Sequence, residues 1–310
     1  MESIHASNCQ ELHCYGTRRL GLEPCVNGRS YLRSSSLRVL QINSPLLFTP
    51  RAVSFTLTIL QNAPLQKLAL TNTTFKPRQW SGLLSKLVLP QLSQLEVENT
   101  CPIPVLVDFL HRHKVRSLFI RHKDNLTLPI LTSRSRSQTP LPSLAELDGS
   151  SAIILSLMRL VDISHPFQRL VVRLDSIPVQ QNHLLDLLSC TEYFTDLQEL
   201  QVNIPKDARN LLDYPEGDLR VCPAKSVSLR GPNPPSASTD VIVSSFLFAF
   251  IRFANSTVSQ SHCAPWMQVF PNISQLWLHT CSDEPADDLR DMFQAFSPLG
   301  SNLPVHVLRF

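Results

Sequence analysis

Five residues near the start of the chain, His5, Cys9, His13, Cys14 and Cys25, are of the types that ligate zinc. A zinc site closes a tetrahedron from paired ligands at short spacing, and the C-x4-C pair here has no second pair to complete it. The segment reads as a polar tail instead. His111 and His113 flank Arg112 at the end of a helical stretch, where positive charge complements the helix dipole. Asp283, Glu284, Asp287, Asp288 and Asp291 crowd the start of another stretch, where they complement the dipole in the opposite sense rather than forming a calcium loop. The basic run Ser133 to Ser137 (SRSRS) lies in a segment rich in Ser, Thr and Pro. It suits a phosphorylation site or phosphate contact, or a flexible insertion, and its Arg134-containing loop is a secondary candidate for binding.

Motifs for catalysis or cofactors are missing. There is no GxSxG elbow, no HExxH and no carboxylate pair at recognisable spacing. Phosphate-cradling GxGxxG and GxxxxGK[ST] patterns are absent too, and the chain has only 8 glycines. No catalytic residue, metal or cofactor is therefore expected.

Bulk properties narrow the field further. Of 310 residues, 43% are hydrophobic and 17% charged, enough apolar content for a packed core and too little charge for global disorder. The net charge of +3, from 28 basic and 25 acidic residues, lacks the basic excess of a nucleic-acid binder. The longest apolar run, Val241 to Ala254, is interrupted by Arg252 and falls short of the roughly 20 residues that cross a bilayer. It reads as a buried helix. Eight scattered cysteines without a CxxC pair, and a polar start where a secretory leader would be apolar, favour reduced thiols in the cytoplasm or nucleus. Four N-x-S/T sequons (Asn72, Asn125, Asn255, Asn272) point towards a secreted glycoprotein, but chance supplies roughly two or three, so they weigh little.

The elements that would position any binding residues come from a repeat. LPQLSQLEV (Leu89 to Val97) recurs as FPNISQLWL (Phe270 to Leu278) and more loosely as LPSLAELDG (Leu141 to Gly149). Their prolines, Pro90, Pro142 and Pro271, lie 52 and 129 residues apart. Those gaps approximate two and five units of about 26, inside the leucine-rich-repeat range. Leucine itself contributes 50 residues. LxxLxL with aliphatic or Phe substitutes begins at Leu37, Leu65, Leu92, Val115, Phe167, Leu197, Ile273 and Val305, with degraded copies at Leu144 and Ala224. The 49 residues between Ala224 and Ile273 leave room for one further unit. In so aliphatic a chain the motif alone is close to chance; its spacing carries the argument.

Amphipathic segments of helical length alternate with these strands: 51–63, 76–87, 103–113, 152–161, 179–194, 239–254 and 284–296. Short strand followed by helix, repeated, predicts an α/β fold. Its form is an irregular leucine-rich-repeat solenoid, a curved parallel sheet of short strands with helices on the convex side. The same order could build a doubly wound α/β domain, which would want longer apolar strands and a glycine-rich first turn. Residues 1–35 are expected to be poorly structured. The solenoid spans 36–310, with a loop insertion near 124–143.

Within LxxLxL the leucines face the core and alternate strand residues face the inner curve. That places Lys67, Glu96, Glu98, Phe119, Arg121, Arg169, Arg173, Glu199, Arg230, Trp277 and His279 on one concave surface. Mixed charge beside exposed aromatics suits a protein partner, for which Trp, Tyr and Arg are typical anchors. Phe119 and Trp277 could equally pack within the solenoid.

LQKLALTNTTF (Leu65 to Phe75), the Trp80-containing WSGLLSKLVLPQLSQLEVEN, VLVDFLHRHKVRSLFIRH (Val105 to His122) and LPSLAELDGSSAIILSLMRL (Leu141 to Leu160) follow one another in order. In them the chain resembles the irregular leucine-rich-repeat region of fungal F-box proteins, especially those of mushroom-forming fungi. The resemblance covers residues 36–310. It implies substrate recognition for a cullin-type ubiquitin ligase. Such proteins carry a helical F-box ahead of the repeats, and residues 1–35 do not resemble one. A ligase adaptor is thus an expected partner only if an F-box is supplied upstream. The expectation is a non-catalytic protein-binding module, with an α/β enzyme of unrecognised active site as the alternative.

Overall fold

The structure, a computed structural model, describes residues 9–15, 36–122, 139–141, 143–162, 167–174, 194, 196–203, 222–230, 274–280 and 304–309. It is α/β, with short strands that pair in parallel. The chain divides into two compact units, Met1–Leu147 with Arg159–Asp162, and Asp148–Met158 with Ile163–Phe310.

In the first unit, β1 (Glu11–Tyr15), β2 (Val39–Asn43), β3 (Lys67–Thr71), β4 (Gln94–Glu98) and β5 (Ser117–Arg121) each pair with the next in chain order. A parallel neighbour requires a crossover, and three of these crossovers carry the helices α1 (Val53–Asn62), α2 (Pro77–Leu84) and α3 (Ile103–Arg112). A two-strand pair, β6 (Thr139–Pro140) with β8 (Val161–Asp162), stands apart. Between them come β7 (Glu146–Ser150) and α4 (Ser151–Leu160). In the second unit, β9 (Arg169–Arg173), β10 (Glu199–Asn203), β11 (Ser226–Arg230), β12 (Gln275–Thr280) and β13 (Val305–Arg309) form a second run of next-neighbour parallel pairs.

The repeat is plainest in the backbone. In both units one carbonyl just before a strand accepts two successive amides from the next repeat, as Arg38 does from Gln66 and Lys67, Gln66 from Ser93 and Gln94, and Gln168 from Gln198 and Glu199. These bonds set the register, so like positions of successive repeats stand side by side. The proline motif has a local cause as well. Leu92 N–H bonds Leu89 C=O at 3.1 Å, closing a turn in which Pro90 takes the position that wants a fixed φ, and Leu144 N–H bonds Leu141 C=O at 3.3 Å in the same way. Both leucines of each turn are buried.

All three apolar positions of LxxLxL reach the core. Leu65, Leu68 and Leu70, then Leu92, Leu95 and Val97, then Phe167, Leu170 and Val172 are at most 1% exposed. In the first unit, Leu60 of α1, Trp80 and Leu84 of α2, and Leu106 and Phe109 of α3 are fully buried as well. The Trp80 indole N–H donates to Thr100 Oγ1 at 2.9 Å, and its ring meets Phe75 edge to face, as Phe75 meets Phe48. A large aromatic is thereby buried without stranding its one donor. In α4, Ile153, Ile154, Leu155 and Leu157 are all at most 1% exposed, which explains its apolar sequence on every side.

Four expectations change. Residues 1–35 hold β1, whose Leu12 and Cys14 stand opposite Leu40 and Ile42. Cys9, Leu12 and Cys14 are a repeat motif with thiols in place of leucines. The insertion near 124–143 is shorter at its end, since Thr139–Pro140 is a strand and Leu141 is buried. β11 pairs directly with β12, so the long gap before Ile273 places no extra strand between them. The motif at Val305 is out of frame: Val305 and Val307 stand opposite Leu276 and Leu278, so the unit begins three residues earlier. The helices expected at 51–63, 76–87, 103–113 and 152–161 are present within a few residues. Those expected at 179–194, 239–254 and 284–296, the Arg134 loop and the acidic run from Asp283 lie outside the described residues.

Candidate functional site

Strand geometry sends alternate side chains to opposite faces, so the residues between the core leucines share the outward face. In the first unit, register aligns them in three rows. One runs Glu11, Val39, Lys67, Gln94, Ser117; the next His13, Gln41, Ala69, Glu96, Phe119. In the third, Tyr15 stands beside Asn43, Asn43 beside Thr71, and Glu98 beside Arg121. The second unit repeats the plan. Arg169, Glu199, Ser226 and Gln275 form one row, Val171, Gln201, Ser228, Trp277 and His306 the next, and Arg173, Asn203, Arg230 and His279 the third.

Register places Lys67, Glu96, Glu98, Phe119 and Arg121 in the rows of the first unit and Arg169, Arg173, Glu199, Arg230, Trp277 and His279 in those of the second. Their availability differs. Lys67, Phe119, Arg169, Arg173, Glu199, Arg230 and Trp277 are partly exposed, Arg121 is exposed, and His279 is placed by register alone. Glu98 is 3% exposed. Its carboxylate accepts the Thr73 N–H at 3.2 Å and the hydroxyls of Thr73 and Thr100, both at 3.4 Å. It fastens the turn after β3 and is not open to a partner.

Charge on the outward face is largely matched across neighbouring strands. Arg121 Nε donates to Glu96 Oε1 at 2.5 Å, and Arg169 lies 3.0 Å from Glu199. Arg173 donates to Asp148 Oδ2 at 2.6 Å. Such pairs hold long side chains in fixed poses; half-exposed ones contribute about 0–1 kcal/mol each. Chemically, guanidinium sits opposite carboxylate, which suits recognition of polar groups better than proton transfer. Aromatic rings interrupt the pattern. Phe119 stands beside Glu96, and Trp277 stacks on His306 with ring centroids 4.1 Å apart and planes 17° from parallel. At the first strand, Tyr15 is 62% exposed and stacks on His13, which lies 3.6 Å from Glu11.

Sequence reasoning put none of His306, Asp148, His13 and Tyr15 on the outward face. His306 was hidden by the misplaced frame at Val305, and His13 and Tyr15 by cysteines standing where leucines were sought. Asp148 had a legible signal, since it occupies the middle outward position of the degraded copy at Leu144.

Cys9, Cys14 and Cys101 are free thiols. Burial pushes the Cys101 thiol up to about 12, so it behaves as a small apolar side chain rather than a nucleophile. Among the described residues no helix is long and apolar enough to cross a membrane. Compared with known proteins, the chain matches no family model and none of the curated proteins. The class defined on structural grounds is an α/β protein of short, next-neighbour parallel strands.

Proposed function

We propose that the chain is a leucine-rich-repeat solenoid acting as a non-catalytic protein-binding module, through the outward rows of its strands. The observation that carries this reading is the row arrangement: one-for-one register gives every repeat the same few outward positions. Those positions hold ion-paired charges with Phe119, Trp277 and His306 among them. Aromatic and arginine side chains on a backbone-locked scaffold are the usual anchors of protein interfaces. In this reading the helices occupy the convex side, and the free thiols belong to a reducing cytoplasm or nucleus.

The resemblance to fungal F-box repeat proteins extends the proposal. The module would select substrates for a cullin-type ubiquitin ligase, with the adaptor engaged by an F-box supplied upstream. Sequencing the full transcript for such a segment, followed by co-purification with adaptor proteins, tests that extension.

The binding claim itself is tested by proximity labelling in cells with wild-type chain, a Glu96→Lys/Phe119→Ala variant, a Trp277→Ala variant, and Phe55→Ser on α1 as control. A set of labelled proteins reduced about tenfold or more by an outward variant, and kept by the control, is the expected result. Unchanged labelling in both outward variants overturns it.

A further inference from the structure

His113 is buried at the end of α3 and uses both ring nitrogens. Nδ1 lies 2.8 Å from the carbonyl of Phe109, and the N–H of Leu89 donates to Nε2 at 3.1 Å. A carbonyl only accepts and an amide only donates, so the ring is the neutral tautomer with its proton on Nδ1. Each bond meets a need of the backbone. The His113 amide bonds Leu110 C=O, one residue short of the helical partner, and the ring serves the Phe109 carbonyl in its place. Leu89, 2% exposed, belongs to the connection between α2 and β4, one repeat earlier. The neighbouring Arg112 crosses the same seam. It donates to Leu84 C=O at 2.8 Å and, at longer range, to Leu87 and Ser85, capping the end of α2.

We propose that Arg112 and His113 form a pH-sensitive clamp between successive repeats, closed while His113 is neutral and released at the Leu89 amide when the ring takes a second proton. Protonation puts a hydrogen on Nε2 facing the Leu89 N–H, donor against donor, inside a buried seam. The surroundings oppose the added charge. α3 brings Arg112 and exposed His111, the chain after it brings Lys114, and the α2–β4 connection brings exposed Lys86. The segment from Leu141 to Leu144 has no titratable side chain. Asp108, one turn back on α3, is exposed. Burial holds the His113 pKa below the usual 6.5, with Arg112 acting in the same direction against the hydrogen bond to Phe109. A depressed folded value means that the clamp's contribution is complete above 6.5 and is lost as pH falls from there through the folded value. His113 also lines a half-open cavity of about 260 Å³ together with Leu110, Arg112, Lys114, Val115 and Leu144.

Two measurements on the full chain test the clamp. The ¹⁵N shifts of the His113 ring should report the Nδ1–H tautomer at neutral pH and titration below 6.5. Hydrogen exchange at the Leu89 amide, corrected for its intrinsic rate, should accelerate up to about tenfold one pH unit below the ordinary histidine value. In His113→Gln, whose side-chain amide can donate and accept without titrating, that acceleration should vanish. An Nε2–H tautomer, titration at or above the ordinary value, or equal pH dependence in wild type and His113→Gln overturns the proposal. The ring shifts need only the wild-type chain, so a poorly folded variant does not spare it.

Discussion

The turn after β3 carries two residues in the left-handed region, Asn72 at φ 51° and Thr74 at φ 55°. A β-branched threonine there is strained, and the turn persists because Glu98 holds the Thr73 backbone and hydroxyl from the next repeat. Removing that carboxylate strands a buried amide. Glu98→Ala is therefore expected to lower stability by about 1–3 kcal/mol. Thr74→Gly, at an exposed position, should raise it by up to about 1 kcal/mol by relieving the backbone. Urea denaturation of both variants measures the contrast. Equal, near-zero shifts would mean that Glu98 does not hold the turn. Glu98 also shows why the surface was only partly legible: its strand position predicts the outward side correctly, but the Thr73 amide that captures it lies 25 residues earlier. Only tertiary contact reveals that engagement.

At the scale of elements, legibility followed how each repeat buries its apolar residues. Strands whose three core positions are Leu, Val or Ile were found, as were the helices that carry amphipathic faces against them. β1 escaped because two of its three positions are Cys9 and Cys14, and β13 was misframed because Val305, Leu308 and Phe310 mimic the spacing of a unit that begins earlier. A period-2 strand tolerates such ambiguity in sequence, and cross-strand register removes it. The two sides of one strand should differ sharply in cost. Leu95→Ala, fully buried in β4, is expected to destabilise by about 2–5 kcal/mol. Gln94→Ala, one residue away on the outward side, should stay within about 0.5 kcal/mol. Thermal or urea unfolding of the pair reads the difference directly; comparable losses would contradict the assignment of faces.

For the whole molecule, the α/β character and parallel strand order could be read from spacing, because crossovers of about 23–30 residues fit a strand and a helix each. A binding role is a step further and rests on which side chains the outward rows offer. The most direct measurement is site-specific photo-crosslinking in cells, with p-benzoylphenylalanine replacing Phe119, Trp277 or, on the helix side, the 55% exposed Phe55. Protein adducts from position 119 or 277, with none from position 55, are the predicted result. Adducts from position 55 alone, or from none of the three, would contradict the claim that the outward strand face is the binding surface.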